Sequence, residues 1–462
     1  MTVILAATLS VGLAQQGTSN RIDVPVPKVS LTPARIVDEA RQRVNSRWYP
    51  SLVIAYIDGA NSEIATFGKL DDGATPDGRT VYEIGSITKT FTAALLADAI
   101  DSGRVTRDTA IAALLPTFTV PTRNGKHISV ADLATQFSGL PYMPDNITPA
   151  DSSNPFADYD VTKLKSFLAA YELKRDPGDA YEYSNLGFGL LGFALTQPQP
   201  FGDAVRARIL EPLGMTMTAV GLDDAMRTHL ARGHDRRNQE AENWKFNVLA
   251  GCGGIDSTAE DMLRYLKANM DGEGKTPSRA FRLAQEPQRE VDSTERIGLA
   301  WMTRAAKPDD VIWHNGTTFG YASFIGFTSD RKRGIVILTN ISESVDDLGF
   351  AALSDAPLRP YKALPLSADA LNAYVGVYKV ADGGLFKVFL RDDQVYAQAL
   401  GEQGIPLFPQ LIDEFFTRID GFHLIFRRNE NGRVSTLVLR QKDDRIAVKL
   451  SGDEAAAALS KF

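Results

Sequence analysis

The sequence predicts an α+β fold: one antiparallel sheet flanked by helices, with a mostly helical insertion, followed by a small all-β C-terminal barrel. Three observations carry this prediction. Strand-like apolar runs fall in two groups, at 51–69 and 311–341, and the region between them, about 106–292, mixes helical stretches with Gly/Pro loops. Beyond a segment at 355–367 that holds three prolines, short alternating runs follow one another closely. The length of 462 residues exceeds one ordinary domain and suggests two or three units.

Each element has its own reason. Residues 3–14, VILAATLSVGLA, are apolar and end in the small residues Gly12 and Ala14 before Gln15 and Gln16. That is the form of a secretory signal, so 1–14 is expected to be a signal peptide and the protein periplasmic or secreted. The stretch has no positive n-region, and the bland alternative is a short buried helix or strand. Residues 33–47 carry helical spacing in Ile36, Ala40 and Val44. SLVIAYIDG (51–59) and SEIATFGK (62–69) read as two strands joined by a tight turn. In EIGSITKTFTAALLADAI (83–100) the spacing predicts a helix whose buried side holds Phe91, Leu95 and Ala99 or Ile100.

VIWH (311–314), YASFIGFTS (321–329) and GIVILTNI (334–341) are strands joined by short loops, hence antiparallel neighbours. The first two strands are expected to join the same sheet, giving a sheet-and-helix domain over 15–365. From 366 to 462, seven or eight strands and an Asn431-Gly432 hairpin turn predict the barrel. Val377, Phe389, Tyr396, Phe426 and Leu437 are read as its interior.

Composition excludes several functions. The net charge of −7, with no Lys/Arg run, argues against a nucleic-acid or anionic-membrane partner. No segment beyond the leader has the length of a transmembrane span. The single cysteine, Cys252, forbids an internal disulfide and a Cys-based zinc site. His127, His229, His234, His314 and His423 never form HExxH, so the sequence offers no metal site. GFGLLG (187–192) fits the dinucleotide pattern, but no strand precedes it; small residues for close helix packing explain it better. GEGKT (272–276) lacks the first glycine of a phosphate loop.

Three short motifs carry candidate chemistry. Ser86 and Lys89 lie three residues apart, so on a helix they share a face. Gly85 lets a substrate come close to the backbone, and a helix N-terminus favours developing negative charge. A desolvated lysine loses basicity and can accept the serine proton. Capping by Ser86 with a snorkelling Lys89 fits the stretch equally well, and Ser-x-x-Lys recurs at Ser329 and Lys332 in a charged turn. Tyr183-Ser-Asn185 follows a Pro177-Gly178 turn at the start of a helix. A phenol beside a cation can titrate down and shuttle protons, and the Asn185 carboxamide can orient a substrate amide. The alternative is a core Tyr and a capping Asn. His314-Asn-Gly316-Thr317 ends a strand and opens a hairpin; Gly316 would let a substrate lie along the edge, and Thr317 N–H could join that of Ser86 as an oxyanion hole. A plain hairpin turn is the alternative.

In this order the three motifs resemble the penicillin-recognising serine hydrolases, nearest to class C β-lactamases and D-alanyl-D-alanine peptidases. The resemblance covers about 30–345 and extends to DLATQFSGLP (132–141), YSNLGFGLLG (183–192), ILEPLGM (209–215) and GCGGIDSTAEDM (251–262). It implies a β-lactamase/transpeptidase-like fold, Ser86 as the acylated nucleophile, Lys89 and Tyr183 sharing proton transfer, Asn185 on the substrate amide, and no metal or organic cofactor. The implied partner is a small-molecule or peptide substrate: D-amino-acid peptides or β-lactam-like amides. An esterase on the same scaffold and a non-catalytic receptor are the alternatives. The segment from 366 resembles the lipocalin-like domain attached to some relatives. Two features depart from the family. His-Asn-Gly replaces Lys-Thr-Gly, so the charge facing a substrate carboxylate is at most partial at neutral pH. Tyr142 and Met143 follow Gly-Leu-Pro in place of a substrate-contacting glutamine.

Overall fold

The computed structural model describes residues 30–271, 278–359, 364, 366–418, 422–440 and 443–462. The expected signal segment at 1–14 and the GEGKT stretch lie outside these residues. Helix α1 (Ala34–Asn45) buries Ile36 and Ala40 as its spacing predicts. Strands β1 (Ser51–Asp58) and β2 (Asn61–Gly68) form the expected hairpin. Strand β3 (Val81–Glu83) leads through a single 3₁₀ turn, Gly85–Ile87, into α2 (Thr88–Asp101). The one-sided burial expected for α2 is corrected: every residue from Thr88 to Ala97 is buried, so periodicity had no exposed face to report.

Helix α3 (Asn185–Thr196) packs beside α2. A Cβ on Gly189 would strike Leu249 and one on Gly192 would strike the Gly251 backbone. GFGLLG therefore serves close packing. The chain continues through a small hairpin, β4 (Gly233–His234) and β5 (Glu240–Ala241), then β6 (Ile255–Thr258) and α4 (Ala259–Met270). Short edge strands β7 (Arg289–Glu290), β8 (Glu295–Ile297) and β9 (Met302–Arg304) precede the predicted trio β10 (Val311–Thr317), β11 (Ala322–Thr328) and β12 (Arg333–Thr339). Among the described residues the sheet has eight strands in the order β7-β8-β9-β10-β11-β12-β1-β2, each pair antiparallel. The two ends of the unit thus share one sheet.

The apolar run in β1 is continuous because both faces are covered. Leu52, Ile54 and Tyr56 face α1 and helix α5 (Asp346–Leu353), while Val53, Ala55 and Ile57 face the core around α2. No helix among the described residues is long and apolar enough to cross a membrane.

At the C-terminus, eight antiparallel strands among the described residues, from Gly376–Val380 to Asp444–Lys449, close into a barrel. Phe426 and Leu437 point inside, as expected. Val377, Phe389 and Tyr396 do not. Tyr378, Val388, Val395 and Ala397 take the interior, and Val377 packs outside with Leu385 and Ala458 under helix α6 (Gly452–Leu459). Phe389 and Tyr396 stack on each other at 5.5 Å. The barrel's outer face is partly covered, so both strand faces carry apolar residues and alternation does not say which is inner.

Residues 31–462 form one compact unit. Arg418 joins the barrel to the start of β1: it is 3% exposed, donates to the carbonyls of Arg47 and Trp48 at 2.7 Å each, and stacks over Trp48 and Phe408. Trp48 in turn meets Phe408 and Phe416. Losing this guanidinium would leave two carbonyls without their donor, at roughly 1–3 kcal/mol. Arg418→Ala is expected to lower the thermal midpoint by several degrees and to speed proteolytic release of the barrel; a melting curve matching wild type would count against the clasp.

Candidate active site

Three segments build the site. The first is the 3₁₀ turn after β3. Between residues 81 and 97, Ser86 alone is not buried. It is carried to the surface by Gly85, whose φ of +50° suits glycine, and a Cβ there would sit 2.9 Å from Thr317 N. Gly316 is constrained from the other side, because its Cβ would fall on the Ile84 carbonyl oxygen. The paired glycines let the Ser86 turn lie against the end of β10, and Ser86 and Thr317 line the same cleft.

Lys89, in the first turn of α2, is fully buried. Its Nζ donates to Ser86 Oγ at 2.8 Å, to Asn185 Oδ1 at 2.7 Å and to the Cys252 carbonyl at 2.6 Å. Burial lowers its pKa to about 8, against the opposing effects of Cys252 and Tyr142. Two of the three acceptors are carbonyl oxygens, which cannot donate. When Lys89 is neutral, its lone pair must therefore face Ser86 Oγ, whose hydroxyl then donates to it.

Tyr183 and Asn185 enter at the start of α3. Ser184 caps this helix, accepting from Gly187 N–H, and the cap sets its neighbours at the site. Tyr183 Oη donates to Ser86 Oγ at 2.7 Å, and Lys89 Nζ stands 4.8 Å from the centre of its ring. The expectation that this phenol titrates down is corrected. Burial raises its pKa and outweighs the hydrogen bond to Ser86 that lowers it, so Tyr183 is a neutral donor in the resting site.

The third motif also differs from expectation. His314 lies inside β10, opposite Ile325, and the strand runs on to Thr317 before the hairpin opens. The ring is buried, with Nδ1 2.6 Å from the Asn315 carbonyl oxygen. Burial first, and the Lys89 charge second, push its pKa down to about 3. His314 is neutral rather than partly charged at pH 7. It shares a recess of ≈ 150 Å³ with Tyr183, Tyr181 and Glu295.

The cleft in front of Ser86 measures ≈ 290 Å³. Asn185, Tyr142, Met143, Phe156, Trp244 and Phe319 are among its walls. The aromatic residues 156, 244, 246 and 319 were not read from sequence, because they are scattered along the chain without a shared spacing. Glu83 was missed for the same reason. It pairs with Asp256 across β3 and β6, and Asn243 Nδ2 donates to both carboxyls. Glu83 also accepts from Trp244 N–H and so fixes the cleft wall. Among the described residues no group of three or more His, Cys, Asp or Glu is placed to hold a metal ion.

The Beta-lactamase family model matches residues 36–357. The chain belongs to the β-lactamase family. A second model, Domain of unknown function (DUF3471), matches 361–454. Among curated relatives, Protein flp of Staphylococcus aureus (strain COL) is 26% identical over 334 residues, which is 67% of this chain and 64% of that protein. The chain therefore matches less than two thirds of that relative. A β-lactamase of Providencia stuartii is 31% identical, covering 42% of this chain and 47% of its own. A β-lactamase of Escherichia coli (strain K12) is 26% identical, covering 57% and 76% respectively. A solved class C β-lactamase superposes with a TM-score of 0.61 at 22% identity, over 71% of this chain and 97% of its own. At that identity the likeness concerns the fold.

In this β-lactamase-family protein the Glu83–Asp256 pair makes stability depend on pH. Burial raises the Glu83 pKa from 4.5 to about 7; burial and the Glu83 charge raise Asp256. The folded state thus holds protons that the unfolded chain releases. This stabilisation is complete below about 4.5 and is lost as pH rises through about 7. The thermal midpoint is expected to fall between pH ~5 and ~8, and Asp256→Asn to flatten that fall; an unchanged slope in the variant would contradict the assignment.

Proposed function

We propose that the protein is a serine hydrolase that works through an acyl-enzyme on Ser86. The observation that carries this reading is the double contact on Ser86 Oγ, 2.8 Å from the buried Lys89 amine and 2.7 Å from the Tyr183 phenol. In its neutral form Lys89 takes the Ser86 proton as Oγ bonds to the substrate carbonyl carbon. The oxyanion is met by the N–H groups of Ser86 and Thr317. Collapse breaks the bond to the leaving group, which receives the proton from Lys89 by way of Tyr183. Water then attacks the acyl-enzyme, losing its proton to the same base, and the acid departs as Ser86 is restored. Asn185 holds Lys89 and offers its amide to the substrate.

Amides are the first substrate class: D-amino-acid peptides or β-lactam-like amides, in keeping with the β-lactamase relatives. Esters are the second reading, favoured by the neutral His314, which supplies no charge for the carboxylate that β-lactams and peptide C-termini carry. With an uncharged fluorophosphonate, mass spectrometry is expected to find one covalent adduct on the Ser86 peptide. Ser86→Ala should remove it; an adduct that persists would put the nucleophile elsewhere.

A further inference from the structure

The cleft beside Ser86 is walled by carbon rather than charge. Phe156 stacks on Phe246 with centroids 4.5 Å apart, and Trp244 stands edge-on to Phe156 at 5.0 Å and to Phe319 at 4.7 Å. At the mouth, Phe319 is 46% exposed and Tyr142 57% exposed. Large rings left open to water around a concave site mark a surface meant to be covered by an apolar guest. The wall is also fixed in place. Trp244 N–H is held by Glu83, Lys245 N–H by Asn154, and the Asn154 amide by the Asn243 carbonyl. A preset wall does not have to be ordered when the substrate arrives.

The charges are as informative as the rings. Among the described residues lining this cleft, none is acidic or basic. The described residues lining the neighbouring recess beside Tyr183 include one carboxyl, Glu295, and the neutral His314, and no lysine or arginine. Lys89 stands behind Ser86, engaged by three acceptors. A carboxylate entering either space would shed water and meet no lysine or arginine among the described lining residues.

We propose that the acyl donor this site takes is uncharged and apolar: an amide or ester with an aromatic or bulky aliphatic group beside the scissile carbonyl and no carboxylate. This rests on the acyl-enzyme reading above and, of its substrate classes, keeps the amides and esters that carry no carboxylate. Specificity then lies with Trp244 and Phe319, which supply the apolar wall.

Two thioesters test it: phenylacetyl thioglycolate and its N-methylamide, which share the scissile bond and differ in one carboxylate. With the full-length protein and thiol release as readout, the neutral donor should be favoured by at least about tenfold in kcat/KM. Phe319→Ala and Trp244→Ala should shrink the preference for phenylacetyl over acetyl donors by about tenfold. Phe319→Arg, at an exposed position that tolerates a long polar side chain, should shift preference toward the carboxylate donor. Equal or faster turnover of the carboxylate donor by wild type overturns the inference. So does turnover of neither donor by a protein whose Ser86 still takes up fluorophosphonate; both results leave the acyl-enzyme reading standing. A Ser86 that takes up no fluorophosphonate removes both.

Discussion

The site depends on one buried amine. Lys89 is sealed in the core, and three acceptors surround its nitrogen at 2.6–2.8 Å. Burying an ammonium is costly, and two carbonyl oxygens and a hydroxyl offset only part of that cost. The remainder appears as lowered basicity. The hydroxyl is the one partner that can exchange roles, from acceptor to donor, when the nitrogen loses its proton. The same burial that weakens the base therefore points its lone pair at Ser86.

Everything around this amine serves to hold that geometry. α2 is buried on all sides, so its first turn cannot shift without disturbing the core. Asn185 reaches Lys89 because the Ser184 cap fixes the start of α3, and the Cys252 carbonyl reaches it from the segment before β6. Gly85 and Gly316 allow the Ser86 turn to lie on β10. Cys252 adds no competing chemistry, because burial pushes its thiol up to about 11. Tyr183 stays a neutral donor, which suits a relay more than a resting base.

Much of this was legible in the sequence, and each failure has a physical cause. Strands β1, β10, β11 and β12 announce themselves as apolar runs joined by short turns, and Ser86, Lys89, Tyr183 and Asn185 lie at starts of elements, where spacing can be read. Strands β7 to β9 were missed because two or three residues carry no periodicity. α2, Val377, Phe389 and Tyr396 were misjudged because elements covered on several sides show no polar face. His314 and Tyr183 were given ordinary or lowered pKa values because sequence reveals neighbours along the chain, not depth. The aromatic wall comes from residues 156, 244, 246 and 319, which only the fold brings together.

The most direct test of the central claim is the pH dependence of Ser86 phosphonylation by a small uncharged fluorophosphonate, followed as a second-order rate. The account predicts a rate that rises with pH, levels off with a midpoint near 8, and collapses in Lys89→Gln across the whole range. A rate still climbing past pH ~10, as for an ordinary lysine, or a variant that keeps the wild-type profile, would contradict it.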